Sequence, residues 1–371
     1  MSNNNPLVAK DFTGRRFNQA FGIFLAFSFV IGIPLRASAD VGTPLLWAGM
    51  LHLFIGNAFI GVFEGLLIAW LFSVRKGMAI GIMIPANYFS AWMGFFFVRC
   101  IGNNLPADLN TYWRWFWVMA FATYGLTLVL EWPFVAWCFR GNPHWFCNSI
   151  RASLVAQSAS YLLLFGWYGV AGNTELYSDL RVVKPSELSL PANMSVYYIS
   201  MSDGNVYRRP LQSGKEIKVC DLPSTNQWKD LTVRRNASNT NNWDLLLLPH
   251  FTVLAKAIPI QNAAVEPDQD ELQVYGHEAG RFGDVTNRNW IVLPHYWDNS
   301  LVCDNRSLRQ RMYLTCDTVF CRWTAGKPAY LNADLVLFEL NGNQICVFSP
   351  DQRKIALLWR GKGAVPIINR D

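Results

Sequence analysis

Glu64 lies in the run GNAFIGVFEGLL (56–67) and Glu131 in LTLVLEWPF (126–134), two acids in segments otherwise apolar enough for the interior of a lipid bilayer. A carboxyl group in hydrocarbon can bridge helices, carry a proton or meet a cation. Neither glutamate has a basic residue in its own run. An ionised carboxylate there would be unpaired and costly, so each acid is expected to hold a proton or to gather donors from other helices.

Counting along the apolar runs gives these acids company. Glu64 is eight residues, about 12 Å, before the end of its run at Phe72, and Glu131 is eight residues before Phe139. Asn87 is nine residues beyond Met78, and Tyr161 nine beyond Ala152. With alternate runs crossing in opposite directions, Glu64, Asn87, Glu131 and Tyr161 fall at one depth. Asn57, seven residues before Glu64, extends the polar face by two turns. Two chemistries fit this layer: hydrogen bonding that fixes which helices adjoin, and a path for protons or cations. Gly56, Gly61 and Gly65 would allow close helix contact around it. No internal repeat or pair of broken helices of the transporter kind is evident in the sequence.

The elements that position this layer are five apolar runs of bilayer length, Phe17–Leu35, Pro44–Phe72, Met78–Val98, Trp115–Phe139 and Ala152–Val170. The first is expected to be an uncleaved anchor, since it is longer than the apolar core of a secretory leader. Pro85 and Pro133 are expected to kink their helices near the polar layer. His52 points about 120° from Glu64 on a helical wheel and is read as an interfacial histidine.

Composition divides the chain accordingly. Of 371 residues, 51% are hydrophobic and 16% charged, with 16 Trp and 25 Phe, too apolar for an ordinary soluble protein. Residues 1–172 hold 10 of the 32 basic and 5 of the 26 acidic residues; both signs crowd into 173–371. With the N-terminus in the cytoplasm, the inside segments carry Lys10, Arg15, Arg16, Arg75, Lys76, Arg140 and Arg151, against Arg36, Arg99 and Arg114 outside. Five crossings then place the C-terminal half outside the cytoplasm. Tyr112, Trp113, Trp115 and Trp117 would form the outer aromatic belt, with Trp70, Trp137 and Trp145 at the inner interface.

The expected organisation is a cytoplasmic tail (1–16), a five-helix transmembrane domain (17–172), a linker (173–195) and an extracytoplasmic all-β domain (196–371). The β assignment rests on short β-rich runs separated by turn signals. VYYISM, VYRRPL and EIKVCDL form a meander with a tight Asp203-Gly204 hairpin, and DLVLFEL, QICVFSP and IALLWRG repeat the layout. Such meanders resemble β-propeller blades, a likeness of fold alone that implies no activity; an open twisted sheet is the alternative. NNWDLLLLPHF (241–251) and NRNWIVLPHY (287–296) share a Leu-Pro-His ending, so His250 and His295 could meet as a ligand or metal position or mark repeated strand ends, the second being preferred.

Other chemistry is sparse. GxSxG, HExxH, Walker A and GxGxxG patterns are absent from the sequence. The acidic stretch EPDQDE (266–271) lacks the glycine-centred loop of an EF-hand and is read as a solvated loop. Cys303 and Cys316 flank a hairpin and are the expected disulfide, if any forms. Asn193, Asn236 and Asn305 stand in Asn-X-Ser sequons. No cofactor, metal or nucleic acid is implied, and oligomeric state is not indicated. The expected function is that of a non-enzymatic envelope protein in the plasma membrane whose outer domain binds a protein or surface polymer. A proton- or ion-coupled transport protein working through Glu64, Asn87 and Glu131 is the alternative.

Overall fold

The computed structural model describes residues 44–102, 105–171 and 174–369 apart from 177–178, 213, 223–229, 236–242, 249–257, 261–262, 265–279, 282–288, 296–299, 306, 321 and 333. The chain divides into two compact units. One holds the helices; the other is built from 173–371 together with the short segment 106–113.

In the helical unit, α1 (Pro44–Leu51) runs through a π-turn (His52–Gly56) into α2 (Asn57–Phe72), followed by α3 (Lys76–Gly102), α4 (Tyr112–Cys138) and α5 (Trp145–Ala171). Four helices are long and apolar enough to cross a membrane among the described residues, where the sequence suggested five; the first expected run, Phe17–Leu35, lies outside them. Large apolar side chains point outward from them: Phe121 is 70% exposed and Leu162 73%. Such a surface is solvated by lipid far more favourably than by water. Pro85 and Pro133 lie inside α3 and α4 without ending them.

Two glycines set the spacing of α2 and α3. A Cβ on Gly61 would lie 2.6 Å from the Cα of Ile84, and one on Gly65 would lie 2.7 Å from that of Ile80. Only glycine permits this backbone-to-backbone approach. His52, at the start of the π-turn, meets α5: its Nδ1 stands 2.9 Å from the hydroxyl of Tyr168.

The second unit is all-β. Its largest sheet has ten strands, among them β15 (Ala325–Asn332), β16 (Leu335–Leu340), β17 (Gln344–Ser349), β18 (Lys354–Asn369), β3 (Met194–Ser200), β4 (Val206–Pro210) and β5 (Ile217–Cys220) in that spatial order. The two meanders read from the sequence are both present. They are not separate blades: the 16-residue β18 pairs with β17 on one side and β3 on the other and fuses them into one sheet. The β3–β4 hairpin turns at Gly204, whose φ of +72° suits glycine, and Asp203 Oδ1 accepts from the Asn205 amide at 3.1 Å.

Residue parity explains why β16 and β17 are apolar throughout. Leu337, Ile345 and Val347 enter one core with Tyr198, Ile199 and Ile367. Val336, Phe338, Leu340, Cys346 and Phe348 enter another on the opposite face. A five-stranded sheet contains β1 (Thr174–Glu175), β13 (Gln310–Asp317), β12 (Ser300–Asn305) and β11 (Trp290–His295), with β14 (Arg322–Trp323) paired to β13. Pro294 lies on β11, at the edge of this order, where a missing donor is tolerated. A third sheet joins β6 (Asp230–Arg235), β7 (Trp243–Leu248) and β8 (Ile258–Ile260).

Several sequence expectations change here. The stretch 173–195 is not a bare linker: it carries β1, β2 (Arg181–Val182) and a 3₁₀ turn (Pro185–Glu187), because Leu176, Leu180, Leu188 and Leu190 are all buried. Segment 106–113 is similarly more than a loop between helices. Leu109 is fully buried in the β core and its amide donates to Gln344 Oε1 at 2.8 Å. Cys303 and Cys316 are both buried free thiols. The register sets Cys303 opposite Met312, four residues from Cys316, so the strands hold the two apart, and burial pushes both thiols above the ordinary range. Asn305 is a poor glycan acceptor, since its side chain is buried and accepts from Ser307 and Leu308.

Candidate functional site

At the centre of the helical unit, a ring of polar side chains from four helices surrounds two fully buried carboxyl groups. Glu64 projects from α2 and Glu131 from α4. Asn87 on α3 donates from Nδ2 to Glu64 Oε2 at 2.5 Å, and to its own helix at Met83 O at 3.1 Å. Ser160 on α5 donates to Glu64 Oε1. Around Glu131 the roles repeat: Gln157 on α5 donates to Oε2 and Ser90 on α3 donates to Oε1. All four carboxyl oxygens have a donor, and the two groups lie within electrostatic range of each other.

Helix geometry makes the ring compact. Asn87 and Ser90 are three apart on α3, and Gln157 and Ser160 three apart on α5, so each pair occupies one face of one turn. Each acid takes an amide from the helix that follows it and a hydroxyl from the other donor helix. The hairpins α2–α3 and α4–α5 therefore present the same acid, amide and serine in the same order. The correspondence is one of side-chain roles and not of a repeated sequence; the close backbone approach of α2 to α3 at Gly61 and Gly65 belongs to the first hairpin. The correspondence escapes sequence inspection because only three side chains per hairpin carry it, across unequal spacings.

The serines matter chemically. Ser160 Oγ also stands 3.0 Å from Ala156 O, and Ser90 Oγ 3.1 Å from Asn87 O. A hydroxyl has one proton and can satisfy only one of its two acceptors at a time. When it donates to the carboxyl group, it can satisfy an ionised acid. When it donates to the helix carbonyl, its oxygen is free to accept from a protonated acid. The ring thus accommodates either state of each glutamate without stranding a carboxyl oxygen.

Of the residues expected in the polar layer, the structure brings together Glu64, Asn87 and Glu131. Tyr161 turns away; its hydroxyl lies 3.3 Å from Thr127 Oγ1, and its ring meets Tyr124 edge-on at 5.0 Å. Asn57 is buried and donates to Leu53 O at 3.2 Å, bracing its own helix beside the π-turn. Ser90, Gln157 and Ser160 were missed. A stripe Ser149, Ser153, Gln157, Ser160, at helical spacing and wholly buried, was the available signal.

In the β unit, His295 packs edge-on against Tyr313 at 5.9 Å, and His250 lies outside the described residues, as does the stretch 266–271. Among the described residues no three His, Cys, Asp or Glu side chains converge as a ready metal cage. Compared with protein-family models, curated proteins and solved structures, the chain gives no match.

Proposed function

We propose that the chain is a multi-pass envelope protein in which the helical unit is a lipid-embedded anchor and the β unit, held outside the cytoplasm, binds a protein or surface polymer without catalysis. The observation that carries this reading is the completeness of the central ring: every carboxyl oxygen of Glu64 and Glu131 is met by a donor from another helix. A centre so satisfied acts as a lock that fixes four helices in register.

Chain connectivity supports the sidedness. Segment 106–113 belongs to the β unit, yet it runs directly into α4 and follows α3. If these helices cross the bilayer, 106–113 and everything after α5 share one side. The basic residues of the opposite turns, Arg75, Lys76, Arg140 and Arg151, support a cytoplasmic assignment for that other side.

Labelling tests this directly. In a background with Cys100 and Cys147 replaced by Ser, Leu308→Cys puts a thiol on an exposed β12–β13 turn, where Leu308 is 62% exposed. Reaction with a membrane-impermeant maleimide in intact cells is expected. Reaction only after permeabilisation would overturn the topology and the presenting role with it.

A second reading, a proton-coupled transport protein, is favoured by the two serines with alternative acceptors. It predicts proton flux in proteoliposomes that Glu64→Gln and Glu131→Gln abolish. The anchor reading predicts no flux and full assembly of both variants.

A further inference from the structure

The end of the helical unit that carries the α2–α3 and α4–α5 turns is basic and holds no acid. Between Glu64 and Asp108, and again between Glu131 and Glu175, the sequence has no Asp or Glu, while Arg75, Lys76, Arg140 and Arg151 stand in or beside the two turns. All four are exposed, and none forms an ion pair among the described residues. Like charges gathered on one end without compensation draw anions from outside the chain.

That end is held in shape. Phe72, the last residue of α2, meets Phe139, just past α4, edge-on at 5.7 Å. Phe139 belongs to a core with Ile68, Val135 and Ala152, and Val74 packs against it, so the two turns are fixed side by side. The α4–α5 turn is wound on itself: Gly141 takes a φ of +89°, the Asn142 amide donates to Phe139 O at 3.0 Å, and Asn142 Oδ1 accepts from the His144 amide at 2.9 Å. The Arg140 guanidinium lies over Trp137, 4.2 Å from the ring centre. Arg151 is farther along α5, but helical side chains lean toward the N-terminus, which carries its charge back toward the turn.

Trp70, Trp137, Trp145 and Phe146 are all exposed around these charges. Indole rings bared at the ends of apolar helices lie at the headgroup level of a bilayer. The anion found at that level is the phosphate of a lipid, and acidic lipids attract basic clusters placed beside membrane-spanning helices.

We propose that this end of the helical unit is a binding surface for anionic phospholipid. Arg140, steadied by Trp137, and Arg75 and Lys76 on the adjoining turn grip the headgroup phosphate, and the exposed rings take up the carbon beneath it. An arginine fork matches phosphate oxygens two at a time, so Arg140 gives direction as well as charge. The inference rests on the lipid-embedded reading of the helices and not on which side of the membrane this end faces.

The test uses the full-length protein in a neutral detergent, titrated with phosphatidylglycerol or phosphatidylcholine and followed by native mass spectrometry and thermal melts. Retained phosphatidylglycerol and a rise in Tm are expected, with neither from phosphatidylcholine. Arg140→Gln and Lys76→Gln are each expected to weaken phosphatidylglycerol binding about fivefold. Both side chains are exposed, so the variants should melt with the wild type before lipid is added; if one fails to fold, the other decides. Lys215→Gln, an exposed change in the β unit, should bind as the wild type does. Equal retention of the two lipids, or undiminished binding in the folded variants, would overturn the surface. The same rise in Tm from inorganic phosphate, or displacement of the lipid by a polyglutamate peptide, would overturn the lipid assignment. A chain that stayed monodisperse without detergent would instead remove the embedding on which the inference rests.

Discussion

Glu64 and Glu131 draw on donors from the same two turns, Asn87–Ser90 of α3 and Gln157–Ser160 of α5, but in opposite order. Each glutamate is thereby tied to both donor helices, and each donor helix to both glutamates. The arrangement couples four helices through eight atoms. Losing one member should be felt by the others.

Isosteric and truncating changes at Glu64 should separate hydrogen bonding from charge. Glu64→Gln keeps an oxygen for Asn87 and offers a donor to Ser160, whose own proton turns to Ala156 O. Glu64→Ala leaves the Asn87 amide and the Ser160 hydroxyl without their shared partner, at about 1–3 kcal/mol for each stranded buried group. In detergent melts, the Gln variant is expected near wild type and the Ala variant well below it. Equal losses for both would show that ionisation, and not hydrogen bonding, holds the ring.

The approach of α2 to α3 gives a steric test. Gly65→Ala drives a methyl carbon into the backbone of Ile80, which cannot step aside. The helices must part, and Glu64, one residue earlier, loses Asn87. Overpacking of this kind costs about 1–3 kcal/mol. Gly81→Ala is the matched control, because nothing lies within 4 Å of its new carbon. A lower melting temperature is expected for Gly65→Ala alone.

Depth along a helix was legible in the sequence, and direction around it was not. Counting from run ends placed Glu64, Asn87, Glu131 and Tyr161 at one level, yet the phenol of Tyr161 points about one residue's rotation, about 100°, from Ser160, which faces the ring. A serine among Ala and Leu reads as a small packing residue until a carboxylate is found beside it. In the β unit, turn residues such as Asp203-Gly204 disclosed the hairpins. The join of β18 to β3 was invisible because its partners, Ser200 and Gly361 among them, are far apart in the chain and share no local signal. The same limit hid Leu109: nothing in LPADLN announces that its leucine belongs to a core built more than 60 residues later.

The stability of the β unit should fall with rising pH because of Glu175. In the folded chain burial makes this carboxyl keep its proton up to about 9, whereas the unfolded chain releases it near 4.5. Between those values the folded state binds more protons than the unfolded one, so stability is greatest below the lower value and declines as pH climbs towards the upper one. Thermal melts across that window are expected to show a descending Tm, and Glu175→Gln is expected to flatten the slope. An unchanged slope in the variant would assign the pH dependence to other groups.

Leu109 tests whether segment 106–113 is structurally part of the β unit. Its side chain is fully buried beside Leu176, Val336 and Phe338, and its amide is held by Gln344. Leu109→Ala removes most of that side chain from a packed site, a change that costs about 2–5 kcal/mol depending on how far the surroundings collapse. The neighbouring ion pair is a useful contrast: Arg360 reaches Asp108 at 2.8 Å, but its side chain is 54% exposed. Surface pairs of that kind are worth about 0–1 kcal/mol. Hydrogen exchange read by mass spectrometry should therefore show faster exchange throughout β16 and β17 in Leu109→Ala and near-native protection in Arg360→Ala. Native protection in both would mean that the β core is complete without the segment between α3 and α4, and the connectivity argument that places the two on one side of the membrane would lose its anchor.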